Sequence, residues 1–466
     1  MRSRTAAVVL GFCVTTPAVA QDRGIIAARI DTAELSAAFR AEMAASGAPG
    51  ATIAIVVGER IVYRAALGVR SSESGDPMTP GTLFRLGSVT KSVTGLAAAL
   101  MAAEGRVDLH APIARHAPAL HPLIGVRTLH QLLSHTSGLA DAAAGNGSHD
   151  DDALEARVRG WGTAELLGEP GDIHSYASPG YWLSGYVLQQ ADGLPYADLV
   201  ERRVLRPLGM RSSTFRPLIA LTHPLALDHR VVEGRAEVLR PYQDDVSTWP
   251  SGSLFSSVED LARYAIALLH EGRIDGAQVL PAGAVRAMFT PHGRLSGSPC
   301  GYSYGLSVCT QGTYRTAAHY GFRVGSGAVF TLLPDQQAAV IILANRNGGI
   351  MRTTEAAAVR MLVGESAPPA TTGGDLPRAP TPADRQRFVG TWTNGGYALQ
   401  VVLRGDSLVV LQGASRGEQR ARLQDPEVLL VLDGAGNPVQ QLQLIVGARS
   451  GRAYLHDGLS ALARTR

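Results

Sequence analysis

Lysine is almost absent from this chain of 466 residues. Of its 43 basic residues, Lys91 is the single lysine and the others are all arginine. Arginine stays protonated in proteins, whereas the lysine amine can release its proton in a suitable site. A lysine kept where every other basic residue is arginine is therefore a candidate for chemistry that arginine cannot perform. The alternative is a leftover surface lysine, and the residues around Lys91 decide between the two.

Aromatic residues are few, and neither sign of charge dominates. Aromatic side chains make up 6% of the chain, and 43 basic residues face 40 acidic ones without a run of either sign. Nucleic-acid binding uses basic patches and aromatic stacking platforms, so nucleic acid is excluded as a partner. The 45% hydrophobic and 18% charged fractions indicate a globular chain with a large core. At roughly 100–200 residues per domain, the length predicts two or three folding units.

Patterns that bind metals or cofactors are missing from the sequence. The histidines are scattered without H-E-x-x-H spacing, and no glycine-rich phosphate loop is recognisable. We therefore expect neither a metal nor a cofactor. The acidic residues 150–152 are interpreted as a solvated loop and helix start.

No stretch is long and apolar enough to predict a stable membrane anchor. Residues 1–20 instead combine Arg2 and Arg4, a short apolar run and a small-residue end. This pattern predicts a secretory signal peptide cut after Ala20, and hence a periplasmic or secreted protein. Cys13 would leave with the signal. Cys300 and Cys309 would remain in a compartment that permits disulfides, and we predict that they are bonded.

The predicted elements follow the order helix, strands, a long helical middle, strands, helix. Hairpins are predicted where two apolar runs flank a short turn. Helices are predicted over residues 32–46, 89–104, 181–190, 196–204, 259–270 and 353–362, and hairpins over 52–66 and 328–343. This order predicts a mixed α/β chain in which strands and helices are segregated along the sequence, as in the α+β class. A mostly antiparallel sheet would be flanked by helices and joined to a helical subdomain.

Changes in composition along the chain suggest the domain boundaries. Residues 21–365 form the predicted catalytic domain, and the Pro/Gly/Ala/Thr-rich stretch 366–382 reads as a linker. Short strands with Gly, Asp and Asn turns follow, at 398–403, 408–412, 428–432 and 442–446. Residues 383–466 are therefore predicted to be a small all-β module, either a sandwich or a barrel.

Ser88 and Lys91 are placed for nucleophilic chemistry. Ser88 stands at the start of a predicted helix, and residues at i and i+3 share a helix face. The first helical turn also favours negative charge. A hydroxyl, an amine that can take its proton and a positive field are what an activated serine nucleophile needs. S-x-x-K alone is a weak motif, but here it contains the chain's only lysine.

Four segments in order resemble the serine β-lactamases and penicillin-recognising peptidases. Ser88-x-x-Lys91 matches their active-site motif. Residues 132–139, LLSHTSGL, match a signature of the class C-like branch. Residues 174–178, HSYAS, resemble its Tyr-x-Asn segment, and residues 319–321, HYG, resemble its Lys-Thr-Gly or His-x-Gly strand. Over residues 26–362 the chain thus resembles β-lactamase-related serine hydrolases, a group with class C β-lactamases, D,D-peptidases, D-aminopeptidases and esterases.

The resemblance implies a fold, a chemistry and a set of roles. The fold would be that of the serine β-lactamases and D,D-peptidases, with a lipocalin-like C-terminal module as in several members. Ser88 would form an acyl-enzyme, and Lys91 and Tyr176 would share general-base work. A tyrosine base needs a nearby cation to favour its phenolate, and Lys91 is the available one. The other implied roles are an oxyanion hole from the backbone N–H groups of Ser88 and Phe322, and substrate binding by Ser178, His319 and Gly321.

Two departures from the family pattern bear on the substrate, which would be a small molecule or peptide. Ser178 replaces an Asn, and its hydroxyl lacks the amide that binds a substrate's side-chain carbonyl. His319 stands where dedicated β-lactamases usually have Lys. Both favour a peptidase or esterase with slow β-lactam turnover. The alternatives are a dedicated class C-type β-lactamase and a non-catalytic peptidoglycan-binding protein on the same scaffold.

Several residues and the C-terminal module have other interpretations. His135 is assigned to structure, in a turn satisfied by local hydrogen bonds. Ser303 and Ser415 both lie in G-x-S-x-G strings but lack the strand–turn–helix context of a nucleophile elbow. The C-terminal module could be a ligand carrier or a lid, and the sequence leaves this open.

Overall fold

The computed structural model describes residues 26–295, 298–346, 351–364, 379–412 and 417–465. The predicted signal peptide, most of the predicted linker and Ser415 lie outside these ranges. Within the described residues, no helix is both long and apolar enough to cross a bilayer. The same part of the chain contains no group of acidic, His or Cys side chains arranged to hold a metal.

An eight-stranded antiparallel sheet organises the first part of the chain. Its strands are β1 Gly50–Val57, β2 Arg60–Gly68, β3 Gly293–Arg294, β4 Gly301–Tyr302, β5 Ser307–Gln311, β6 Tyr314–Arg323, β7 Ser326–Leu333 and β8 Ala338–Ala344. Their order across the sheet is β2-β1-β8-β7-β6-β5-β4-β3. Strands β1, β7 and β8 are buried along their full length, which their continuous apolar sequences require. The two predicted hairpins are confirmed as β1–β2 and β7–β8.

Helices cover both faces of this sheet. On one face, Thr32–Ser46 and Arg352–Val363 bury Phe39 and Leu362 against the strands. On the other face, Val258–Leu269 packs on the sheet and leads into a helical region around Thr90–Ala103 and Ser178–Asp192. The predicted α+β arrangement is thus confirmed, with its helical subdomain.

Shorter elements complete the helical region and its surroundings. Other α-helices in the described residues are Pro122–Gly125, Leu129–Leu133, Ala153–Arg159, Tyr196–Val200, Pro217–Ala220, Trp249–Gly252, Ala282–Ala287 and Pro382–Phe388. Glu201–Leu205 continues its helix as one π turn. Single 3-10 turns lie at Gly87–Val89, Ile113–Arg115, Thr163–Glu165, Val246–Thr248 and Pro334–Gln336. Two-stranded ribbons pair Phe84–Arg85 with Phe255–Ser256, His229–Val232 with Arg235–Val238, and Arg273–Ile274 with Ala277–Gln278.

The C-terminal module is a closed barrel. Its eight strands are Gly390–Asn394, Tyr397–Arg404, Ser407–Gln412, Glu418–Asp425, Val428–Leu432, Pro438–Val446, Ala453–His456 and Ala461–Arg464. Closure decides between the sandwich and the barrel that the sequence left open. Its core is packed with apolar side chains that include Trp392, Val401 and Leu429.

The cysteines and the first G-x-S-x-G string are explained by the sheet. Cys300 and Cys309 form the predicted disulfide, beside the paired strands β4 and β5. Ser303 follows β4 and is succeeded by another strand, and its hydroxyl donates to the Ala287 carbonyl at 3.0 Å. A strand after the serine is not the geometry of a nucleophile elbow, as predicted.

Candidate active site

Ser88 and Lys91 meet at the start of the buried helix Thr90–Ala103. The 3-10 turn Gly87–Val89 runs directly into this helix. Lys91 Nζ lies 3.0 Å from Ser88 Oγ, so the one-turn spacing brings the two groups together as predicted. Ser88 is half-buried and reachable from solvent, whereas Lys91 lies behind it with 1% of its surface exposed. The surface-lysine alternative is therefore wrong.

Gly87 allows strand β6 to approach the serine closely, a role the sequence reasoning missed. Its φ is +54°, and a Cβ at this position would come within 2.9 Å of the Phe322 backbone nitrogen. A glycine is required here both for its conformation and for the space it leaves. The Phe322 amide thus lies beside the Ser88 turn, where the resemblance expects an oxyanion-hole donor. Gly321 has a similar reason, since its Cβ would meet the Leu86 carbonyl oxygen at 1.9 Å.

Burial of Lys91 disfavours its charged form. Nζ lies 2.9 Å from the Ser251 carbonyl oxygen and 3.5 Å from Ser178 Oγ. It also lies 4.8 Å from the centre of the Tyr176 ring. Loss of hydration lowers the pKa of Lys91 to about 7, and the Asp141 carboxylate opposes this change. A large share of Lys91 is therefore a neutral amine at neutral pH.

Tyr176 contacts both members of the pair. Its segment leads into the helix Ser178–Asp192, and its hydroxyl hydrogen-bonds the Ser88 side chain. Burial raises the pKa of Tyr176, and the bond to Ser88 offsets only part of this effect. The resting form is the phenol. The expectation that Lys91 would favour a phenolate is wrong, because Lys91 is itself only partly charged and desolvation dominates.

His319 and Ser178 complete the set of predicted residues. His319 Nδ1 donates to the Tyr320 carbonyl at 2.9 Å, which leaves Nε2 to accept from the Tyr302 hydroxyl at 3.0 Å. Burial, together with the charge of Lys91, lowers the pKa of His319 to about 3. A neutral ring offers no fixed charge to a substrate carboxylate. Ser178 Oγ faces Lys91, and its N–H donates to Asp141 Oδ1 at 2.8 Å.

His135 and Asp141 adjoin this site. His135 is buried with φ +57°, and its Nδ1 accepts from the Ala177 N–H at 3.1 Å. The bond spans 42 residues, so the expectation of purely local hydrogen bonds is wrong. The ring lies 4.2 Å from the Tyr176 ring between centres, and it supports that side chain. Asp141 was not predicted from the sequence as a site residue. The one feature that could have indicated it is its position two residues after the LLSHTSGL segment.

Comparisons with known proteins show which family the chain belongs to. The family model "Beta-lactamase" matches residues 35–365. Protein Rv1367c of Mycobacterium tuberculosis is 30% identical over 271 residues, which are 52% of this chain and 67% of that protein. Esterase EstB of Burkholderia gladioli is 34% identical over 212 residues, 42% of this chain and 53% of EstB, so the match spans about half of that relative.

A solved structure resembles nearly the whole chain, including the barrel. The crystal structure of SurE has a TM-score of 0.74 at 24% identity, covering 96% of this chain and 100% of SurE. At this identity the likeness establishes the fold. The family match over residues 35–365 establishes family membership in addition. The chain belongs to the beta-lactamase family, and with it to the serine hydrolases.

Proposed function

We propose that this protein is an exported hydrolase that forms an acyl-enzyme on Ser88 and acts on esters or amides, such as D-amino-acid and peptidoglycan-type peptides. One observation carries the proposal. The only lysine of the chain is buried, partly neutral at neutral pH and 3.0 Å from the Ser88 hydroxyl oxygen. A neutral amine in hydrogen-bond reach of a serine is the arrangement of a general base with its nucleophile.

The arrangement supports a two-step acyl transfer. As Ser88 Oγ attacks the substrate carbonyl carbon, neutral Lys91 accepts the hydroxyl proton. The carbonyl oxygen becomes an oxyanion, held by the backbone N–H groups of Ser88 and Phe322. Tyr176 passes a proton to the leaving group as the bond to carbon breaks, and it regains that proton from Lys91. Water then attacks the acyl-enzyme with the same groups as base and acid, which releases the acid and restores Ser88.

With no fixed cation at His319 and no side-chain amide at Ser178, the site favours esters and uncharged amides. His319 is neutral, and Ser178 cannot replace an asparagine amide. Ground-state binding and transition-state binding of a carboxylate-bearing β-lactam are therefore both weakened. The related EstB is an esterase by name, which supports the same substrate class.

Labelling tests the proposal directly. Purified protein is treated with a fluorophosphonate and with a fluorescent penicillin, next to Ser88→Ala. The protein is then screened with p-nitrophenyl esters, nitrocefin and D-amino-acid amides. We expect fluorophosphonate labelling that Ser88→Ala abolishes, and ester turnover. Efficient nitrocefin hydrolysis with weak esterase activity would indicate a dedicated β-lactamase, and binding of peptidoglycan peptides without labelling would indicate a binding protein.

The pH dependence of kcat/KM should follow Lys91. Because the active form is the neutral amine, kcat/KM rises as pH rises through about 7, the pKa of Lys91. His135 and His319 also face Lys91, but burial lowers their pKa values, so they stay neutral across this range. Tyr176 and Tyr181 stay protonated because burial raises their pKa values.

Asp141→Asn is the matched control for the pH profile. Removing the carboxylate takes away the charge that supports the ammonium of Lys91, so the acid limb should move to lower pH. The measurement is kcat/KM for a p-nitrophenyl ester between about pH 5 and 9. This range extends on both sides of the pKa that burial gives Lys91. A flat profile, or a shift to higher pH in Asp141→Asn, would contradict the base role of Lys91.

The double substitution Ser178→Asn with His319→Lys should raise the β-lactam rate relative to the ester rate. It restores an amide for the antibiotic side chain and a cation for its carboxylate. Lost contacts to charged groups cost about 1.5–3 kcal/mol each, so wild-type kcat/KM on nitrocefin should trail that on the best ester by at least about tenfold. The two single variants serve as controls. An unchanged ratio in the double variant would refute this view of the two positions.

A further inference from the structure

The C-terminal barrel reaches into the surroundings of the candidate active site. The backbone N–H of Tyr176 donates to the Leu459 carbonyl at 3.0 Å, and Leu459 belongs to the turn between the last two barrel strands. In the same turn, Ser460 Oγ lies 3.4 Å from the Tyr176 carbonyl. The backbone of the proposed proton relay is therefore bonded to the barrel on both sides.

Asn394 makes a second bridge, at the end of the first barrel strand. This buried side chain accepts the Asp141 N–H at 2.7 Å and donates to the Ala461 carbonyl at 2.7 Å. Its amide also lies 3.4 Å from Ser175 Oγ, next to Tyr176. The following residue, Gly395, has φ +56°, and a Cβ there would come within 2.0 Å of the Asp141 carbonyl oxygen. The Gly395 backbone thus lies against the Asp141 loop with no room for a side chain between them.

A third set of bonds holds the start of the Tyr176 segment. Asp172 Oδ1 accepts the N–H groups of Arg449 and Ser450, and Oδ2 accepts the hydroxyls of Ser450 and Tyr454, at 2.6–2.9 Å. His456 Nε2 lies 3.1 Å from the His174 carbonyl oxygen. Residues 172–176 therefore run along the barrel, bonded at both ends. The packed interior of the barrel argues against the ligand-carrier alternative.

We propose that the barrel is a structural part of the active site, with Asn394 as the positioning residue that fixes Asp141 against Ser178 and Lys91. This rests on the proposed function. The chain of contacts runs from Asn394 Oδ1 to the Asp141 backbone, from the Asp141 carboxylate to the Ser178 N–H, and from Ser178 Oγ to Lys91 Nζ. Asn394 touches no reacting atom and acts through Asp141.

The test compares two barrel asparagines in the full-length protein. Asn394→Leu keeps the side-chain size and removes the hydrogen bonds to Asp141, Ala461 and Ser175. The control is Asn437→Leu, because Asn437 is exposed and its bonds go to Asp433 within one turn. For both variants, kcat and KM on a p-nitrophenyl ester and the pH profile are measured well below each Tm.

We expect Asn394→Leu to lower kcat at least about tenfold, because small displacements of active-site groups cause losses of this size. We also expect the acid limb of the kcat/KM profile to move to lower pH. The limb moves because Asp141 supplies the negative charge among the groups that face Lys91, which also include Tyr176, Tyr181, His135 and His319. Asn437→Leu should change neither quantity. A loss of kcat without a shift of the acid limb would mean that Asn394 only stabilises the fold, and it would overturn the proposal. Equal behaviour of the two variants would overturn it as well.

A second Asn394 variant and a hydrogen-exchange measurement complete the test. If Asn394→Leu does not fold, Asn394→Ser is used, which stays polar but is too short to hold Asp141 and Ala461 together. Hydrogen exchange of peptides covering residues 139–143 and 172–178 gives a readout independent of activity, and faster exchange is expected in the Asn394 variant only. Absent labelling of wild-type Ser88 would refute the proposed function. Unchanged exchange would refute the positioning role alone.

Discussion

Lys91→Arg should lower the rate of Ser88 acylation by about 10²–10⁴-fold or more, the range of a general-base contribution. Arginine resembles lysine in length but carries a larger head group and a permanent positive charge. Its guanidinium does not release a proton in a protein, so it cannot accept the one that Ser88 loses. The site also buries the head group, which makes a permanent cation costly there. The measurement is the rate of fluorophosphonate labelling, followed in-gel over time.

The control for this prediction is a charge-preserving change elsewhere. Arg64→Lys alters an exposed ion pair with Glu259 and should label at the wild-type rate. Both variants need circular dichroism and thermal melts, since the larger guanidinium introduced by Lys91→Arg could disturb the core. A folded Lys91→Arg protein with near-normal labelling would show that Lys91 is not the base.

Tyr176→Phe should lower the rate about 10²–10⁴-fold on substrates with poor leaving groups, and much less on p-nitrophenyl esters. The reason is that p-nitrophenolate departs without protonation, whereas an alkoxide or amine needs the proton that Tyr176 supplies. Phenylalanine keeps the ring beside His135 and Lys91 and removes the hydroxyl. The measurement compares kcat/KM for ethyl and p-nitrophenyl esters of one acid.

Tyr181→Phe is the matched control, because Tyr181 also lies beside Lys91 while its hydroxyl donates to the Leu133 carbonyl. It should leave the ratio of the two esters unchanged. Equal losses on both esters in Tyr176→Phe would instead assign the hydroxyl to activation of Ser88.

The sequence was informative where function depends on local spacing. The Ser88–Lys91 pair lies on one helical turn, so the periodicity of the helix alone brings its side chains together. The hairpins β1–β2 and β7–β8 were predictable because apolar runs flank short turns. The long buried helices were predictable as well, with ends displaced by a few residues.

Long-range contacts could not be predicted in this way. The bond between Asn394 and Asp141 joins residues 253 positions apart, and no local pattern marks either one. Four barrel strands, among them Gly390–Asn394 and Ala453–His456, went unrecognised because they are short or polar on their outer face. The protonation of Tyr176 depends on burial, which exists only after folding.

A lone buried lysine also makes this protein convenient for spectroscopy. Protein grown with ¹⁵N- or ¹³C-labelled lysine carries one labelled side chain, at Lys91. Its Nζ and Cε resonances need no assignment, and their chemical shifts report directly whether the amine is charged. A titration of that single signal, in the free enzyme and in the stable adduct with an inhibitor, would follow one proton through the proposed cycle. The native sequence gives this view without the removal of any other lysine.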